Sequence, residues 1–275
     1  MVKAPLVVAL FMVTLLYGSL GSHADGAQTI GLVERGPIHI FYPEDYTAAN
    51  GITGGSGTED DPYVISGWKI EAQNKSAIGI IVHFPTVISG NFLNSGVTAI
   101  STSGPESLSI RDNYLIGTGS GAKGLRASTP HLEVSQNMFV GGSSGIILAT
   151  DKAEIVGNIF GDHFSTHITY LDRGHEEQGL RDVLLVEGND FDVSGRWVVI
   201  SANYASPFHS VNLIDARDNY WGHPDGPRFR SHLGCCFNVE DVEDPREGGG
   251  FVGPGVLAWP YESTPVQGAG PTWSP

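Results

Sequence analysis

An all-β solenoid of parallel coils is the fold that this 275-residue chain predicts, on three observations. Six asparagines, Asn91, Asn113, Asn137, Asn158, Asn189 and Asn219, each sit in the same apolar frame. A second apolar set with period-two alternation recurs between them. The turns that join these segments are rich in Gly and Ser, as in Gly117-Thr118-Gly119-Ser120-Gly121 and Gly141-Gly142-Ser143-Ser144. Short alternating strands repeated every twenty-odd residues mark a stacked array, in which each unit buries its apolar side only against its neighbours.

The frame is the same in each coil. Three residues before the asparagines stand Ile88, Ile110, Val134, Ile155, Val186 and Ala216. Five before are Thr86, Leu108, Leu132, Ala153, Leu184 and Ile214, and two after are Leu93, Leu115, Phe139, Phe160, Phe191 and Trp221. The gaps between asparagines are 22, 24 and 21 residues, then 31 and 30. Alternate side chains of a strand share one face, so the frame puts the residues at minus five, minus three and plus two inside. Equivalent strands then stack ~4.8 Å apart and their inward residues form ladders.

The asparagine itself is expected to do two things. It tolerates the left-handed backbone of a tight turn. Its amide carries both donor and acceptor, so asparagines on successive coils can bond along a column. The second set reads Gly96-Val97-Thr98-Ala99, Gly124-Leu125-Arg126-Ala127, Gly145-Ile146-Ile147-Leu148, His167-Ile168-Thr169-Tyr170 and Trp197-Val198-Val199-Ile200. Each of these is a further short strand, and helical periodicity is absent throughout the repeats.

The ends need other residues. Met1-Val2-Lys3 is a short basic start, Ala4 to Leu20 is an apolar run, and Ser22-His23-Ala24 supplies small residues for a cleavage site. Residues 1–24 therefore read as a secretory signal peptide; a retained membrane anchor is the alternative, because the run is nearly long enough to span. Residues 25–62 are expected to form an N-terminal cap and first strand, with Ile38 and Ile40 inward. Residues 63–222 carry the repeats, and 223–275 form a C-terminal cap. Uncovered strand edges at either end of a solenoid would recruit other molecules, so both caps are required.

Composition narrows the function classes. The net charge is −15, and −16 once Lys3 leaves with the signal, since residues 1–24 hold no Asp or Glu. That balance argues against binding nucleic acid, which takes clustered Lys and Arg. With the signal removed, no further stretch is long enough for a membrane span. The expected location is secreted, periplasmic or cell-surface. The two cysteines are adjacent, Cys235-Cys236. Neighbouring Cα atoms lie ~3.8 Å apart, less than the usual disulfide span. A strained vicinal bridge and a pair of thiols in the cap both remain open. The acidic stretch from Asn238 to Gly250 reads as an exposed loop.

Three segments resemble a known group. The Asn-centred repeats are the first. The second runs from Asn50-Gly51-Ile52-Thr53-Gly54-Gly55-Ser56-Gly57-Thr58 to Pro62-Tyr63-Val64-Ile65-Ser66-Gly67-Trp68. The third is Asn219-Tyr220-Trp221-Gly222 with Gly226-Pro227, followed by the closing strand at Val256-Leu257-Ala258-Trp259-Pro260. Together they resemble right-handed parallel β-helix proteins of the pectate-lyase-like superfamily, in particular the NosD-type exported proteins. The resemblance implies a single-stranded right-handed parallel β-helix with N- and C-terminal caps. It implies little about activity, because that fold hosts lyases, hydrolases, adhesins and binding proteins.

Two function classes follow. The preferred one is a non-catalytic exported module that binds carbohydrate, a surface partner or, as the resemblance allows, a metal. The other is a polysaccharide lyase or glycoside hydrolase. Aligned by the asparagines, Asp162 and His163 fall on the same flank as Asp190 and Asp192 of the next coil, with His167 just before the following strand. Converging carboxylates are what glycoside hydrolysis needs. The flank also reads as polar positions that any solenoid turns outward. Calcium enters only with the lyase or hydrolase reading, and no metal site is assigned from spacing, since no His-Glu-x-x-His stands on a helix. Arg217 with Asp218 reads as a surface pair of small weight. The insertions at Asp172 to Asp182 and Asn203 to Ser210 are the other candidates. Tyr204, Phe208 and His209 could stack on sugar rings, or could pack across the flank.

Overall fold

The computed structural model describes residues 28–29, 31–161, 166–171, 183–191, 198–203, 214–229, 251–252 and 256–275. They form a β-solenoid whose coils contribute to three parallel sheets. The first sheet stacks the strands that precede the asparagines: Tyr63–Ser66, Thr86–Ser89, Ser107–Arg111, His131–Ser135, Lys152–Val156, Val183–Glu187, Ile214–Asp215 and Val256–Leu257. The second stacks those that follow: Val33–Arg35, Trp68–Ala72, Phe92–Ser95, Tyr114–Gly117, Met138–Gly141, Ile159–Phe160 and Asp190–Phe191. The third runs from Ile38–Ile40 through Ile78–Ile80, Thr98–Thr102, Lys123–Ser128, Ser144–Ala149, Thr166–Leu171 and Val198–Asn203 to Phe251–Val252 and Arg228–Phe229. No helix among the described residues is long and apolar enough to cross a membrane.

In the first two sheets the register is the one the frame predicts. Ile65, Ile88, Ile110, Val134, Ile155 and Val186 lie opposite one another, as do Leu93, Leu115, Phe139, Phe160 and Phe191. All are sealed from solvent. The plus-two row becomes an aromatic stack: Phe139 lies 4.9 Å from Phe160, Phe160 4.9 Å from Phe191 and Phe191 5.1 Å from Trp221, all near-parallel.

The third sheet departs from the expected alignment at both ends. Leu125, Ile146 and Ile168 are partners as expected, but Leu125 pairs with Ile100 and Ile168 with Ile200. The first expected segment is therefore displaced by three residues and the last by two. Alternation alone does not fix register, and no asparagine of the column stands in this sheet to pin it. The rings of the stack set the size of its neighbours here. A Cβ on Gly124 would lie 2.5 Å from the Phe139 ring, and one on Gly145 would lie 3.0 Å from the Phe160 ring. One coil later the same row holds His167, 1% exposed, edge-on to Phe160 and Phe191.

The amide column is continuous. Each of Asn91, Asn113, Asn137, Asn158 and Asn189 donates from its backbone N–H and its Nδ2 to the Oδ1 of the next asparagine, at 2.8–3.0 Å. The Nδ2 groups also reach backbone carbonyls, as Asn137 does to Ile110 and Ser135. At the start of the column Trp68 replaces an asparagine and its N–H donates to Asn91 Oδ1. One expectation is corrected. The left-handed residue is the one before each asparagine: Gly90, Asp112, Gln136, Gly157, Gly188 and Asp218 have φ between 54° and 64°. The asparagine is present for its amide, not for its backbone.

Described residues of the expected end segments pack at both ends of the sheets. Asp45 Oδ2 accepts from Phe41 and Tyr42 N–H, and Asn50 Nδ2 donates to His39 O beside the edge strand of the third sheet. Ile38 and Ile40 point inward as expected. Gly54 forms an antiparallel bridge with Val64 on the edge of the first sheet. At the other end, Val256–Leu257 adds to the first sheet beside Ile214–Asp215. The chain then turns back along the solenoid as a strap over the outer face of the second sheet. Ala269 and Trp273 close a satellite core with Tyr114, Met138 and Ile159. Strand Trp273–Ser274 pairs with Gln28–Thr29, so the strap reaches the first described strand.

Candidate functional site

Of the four residues expected on the acidic flank, Asp162, His163 and Asp192 lie outside the described residues. Asp190 is described. It stands in the second sheet opposite Ile159, bridged to Tyr220, and is 6% exposed. It thus continues the outward row of Phe92, Tyr114, Met138 and Ile159, packed among neighbours rather than open to solvent. His167 is placed by the core, its Nε2 3.1 Å from Gly161 O. Tyr204, Phe208 and His209, the insertion at 172–182, the second insertion beyond Asn203, Cys235-Cys236 and the acidic stretch 238–250 also lie outside the described residues.

A cleft of about 350 Å³ opens elsewhere, along the outer face of the first sheet. Two registered rows of side chains line it. One row is Ser107, His131 and Lys152, and the other is Ser109, Glu133 and Glu154. Glu59 and Pro62 of the N-terminal cap contribute to its lining. The strands point these residues outward because the residues at minus five and minus three from each asparagine are held inside, which leaves minus four and minus six to face solvent. Successive members of a row lie one strand spacing apart, ~4.8 Å.

The groups in the cleft are engaged with one another. Ser109 Oγ donates to Glu133 Oε2 at 3.0 Å, and Ser135 Oγ lies 3.4 Å from its other oxygen. Lys152 Nζ pairs with Glu154 Oε1 at 2.8 Å. Hydroxyls, carboxylates, an ammonium and an imidazole thus form a face able both to donate to and accept from a hydroxyl-rich ligand. Glu133 and Glu154 thus each have a partner on the protein. These positions went unremarked in the sequence because outward polar residues are ordinary on a solenoid. Reading minus four and minus six from each asparagine finds them.

Charge elsewhere is peripheral. Arg217 pairs with Asp215, at 2.6 and 2.8 Å, rather than with Asp218 as expected, because alternation puts residues 215 and 217 on one face. The Arg217 hydrogen bonds hold the Asp215 carboxyl below its ordinary value. Glu34 is likewise lowered by its bond to Lys69. None of these four residues lines the cleft. Among the described residues no group of three or more His, Cys, Asp or Glu is disposed to hold a metal ion.

No family model, no curated protein and no solved structure matches the chain.

Proposed function

We propose that this chain is an exported, non-catalytic binding module that holds an extended neutral carbohydrate along the outer face of its first sheet. The cleft with its two registered polar rows carries this reading. A ladder of donors and acceptors repeated at the coil spacing comes close to the advance of one sugar along an extended glycan. Three carboxylates against one lysine line it, and the chain as a whole carries −15, so a neutral polymer is favoured over an acidic one. Export rests on the basic start and apolar run of residues 1–24 and on the resemblance to NosD-type proteins. That resemblance extends to metal binding and to the pectate-lyase-like enzymes. The enzyme alternative remains tied to Asp162, Asp190 and Asp192, with calcium entering only there.

A panel of neutral and acidic polysaccharides, assayed by calorimetry and for new reducing ends with and without calcium, tests this. The expected result is binding of a neutral glycan without cleavage. The Ser109→Ala/Glu133→Ala variant is expected to bind at least tenfold more weakly, about 1.4 kcal/mol. Reducing ends that accumulate with the wild type and stop with Asp190→Asn would replace this reading by the enzymatic one. Unchanged affinity in the cleft variant would remove the cleft from it.

A further inference from the structure

The cleft changes character along the solenoid axis. In register, its minus-four row reads Val64, Val87, Ser109, Glu133, Glu154 and Leu185. Three polar residues thus stand between aliphatic ones. The next member of the row, Asp215, is bound to Arg217. In the minus-six row Ser107, His131 and Lys152 are followed by Val183. At the N-terminal end the lining closes on Pro62, Val87 and the cap residue Glu59. Glu59 is held there on a tight turn, where Ser56 and Gly57 N–H donate to Asp61 O and Asp61 N–H donates to Thr58 O.

The polar stretch is therefore three coils long, and each coil supplies one pair: Ser107 with Ser109, His131 with Glu133, Lys152 with Glu154. Partners in a pair are two residues apart on one strand, so both face outward. Their contacts on the protein leave bonding capacity over. A carboxylate has about four acceptor positions, and serine hydroxyls take two of those on Glu133. An ammonium has several donors, and Glu154 takes one on Lys152.

We infer that the cleft holds three sugar units, one on each pair, and so selects neutral glycan segments by length. This rests on the glycan reading above and goes beyond it in fixing where recognition begins and ends. A fourth unit would lie over Val87 or Leu185, whose side chains return no hydrogen bond to its hydroxyls. Hydroxyls that lose water without gaining a partner cost free energy, so a longer chain leaves the surface at either end.

Calorimetry with linear β-1,4-linked glucose, mannose and xylose oligomers of two to six units tests this on the full-length protein. The best-bound series is expected to gain about tenfold in affinity from two units to three, the worth of a pair of added hydrogen bonds. From three to six units the affinity is expected to change by less than about twofold. Lys152→Ala/Glu154→Ala removes the last pair and is expected to move the plateau to two units. These side chains are 53% and 44% exposed, so little packing is lost with them. Val87→Ser carries the polar row one coil further and is expected to add a rise at four units. A plateau at another length, or one that neither variant moves, would overturn the three-unit cleft while leaving glycan binding in place. If no oligomer of any series binds, the glycan reading fails and this inference fails with it.

Discussion

Replacing Asn137 by leucine is expected to destabilise the protein by at least about 3 kcal/mol, since each buried polar group left unmet costs ~1–3 kcal/mol. Its Oδ1 accepts from both the N–H and the Nδ2 of Asn113, and its Nδ2 donates to Ile110 O, Ser135 O and Asn158 Oδ1. Leucine keeps the branched shape but satisfies none of these, and every member of the column is sealed from water. The stability of a whole domain is ~5–15 kcal/mol, so one such change removes a large part of it. Asn91→Leu is expected to cost less. Its Oδ1 accepts only the Trp68 N–H, where Asn137 serves two donors. Urea midpoints for the two variants check the order as well as the size, and equal midpoints would sink the idea that the column acts as a chain of amides.

Phe160→Ala is expected to cost about 3–5 kcal/mol, the usual range for emptying a buried aromatic site. The ring is held between Phe139 and Phe191 at 4.9 Å on either side, with His167 edge-on at 6.0 Å. Gly145 approaches so closely that backbone rather than side chain lines that wall, and backbone cannot collapse to fill the space. Phe160→Leu should cost less than about 1.5 kcal/mol, because it retains most of the volume. Leu93 and Leu115 already fill the same row in earlier coils. Thermal or urea unfolding of the pair measures the gap; similar losses would mean that ring stacking, not filled volume, holds this row.

Most of the architecture is legible in the sequence because one residue type fixes phase. A strand pinned to an asparagine has a known inward set, and Ile110 or Phe139 could be placed without coordinates. The third sheet has no such pin, so its alternation slipped against the neighbouring coils at Thr98 and Val198. The left-handed position was also within reach, since Gly90, Gly157 and Gly188 precede their asparagines, but the better-known tolerance of asparagine drew the assignment one residue too far. The candidate cleft hides for a different reason. Ser109, Glu133 and Glu154 are individually ordinary outward residues, and only their registry on adjacent coils gives them meaning. The strap was beyond reach of any periodicity. Trp273 meets Asp112 and Tyr114 across about 160 residues, and no repeat predicts such a contact.

The bonded amide column is tested most directly by hydrogen exchange of side-chain amides in the native protein, followed by NMR. The Nδ2 protons of Asn113, Asn137 and Asn158 are expected to exchange as slowly as the best-protected backbone amides of the sheets. The exposed amide of Asn74 serves as the fast reference. If the column protons exchange at the rate of Asn74, the asparagines are not bonded to one another inside the solenoid.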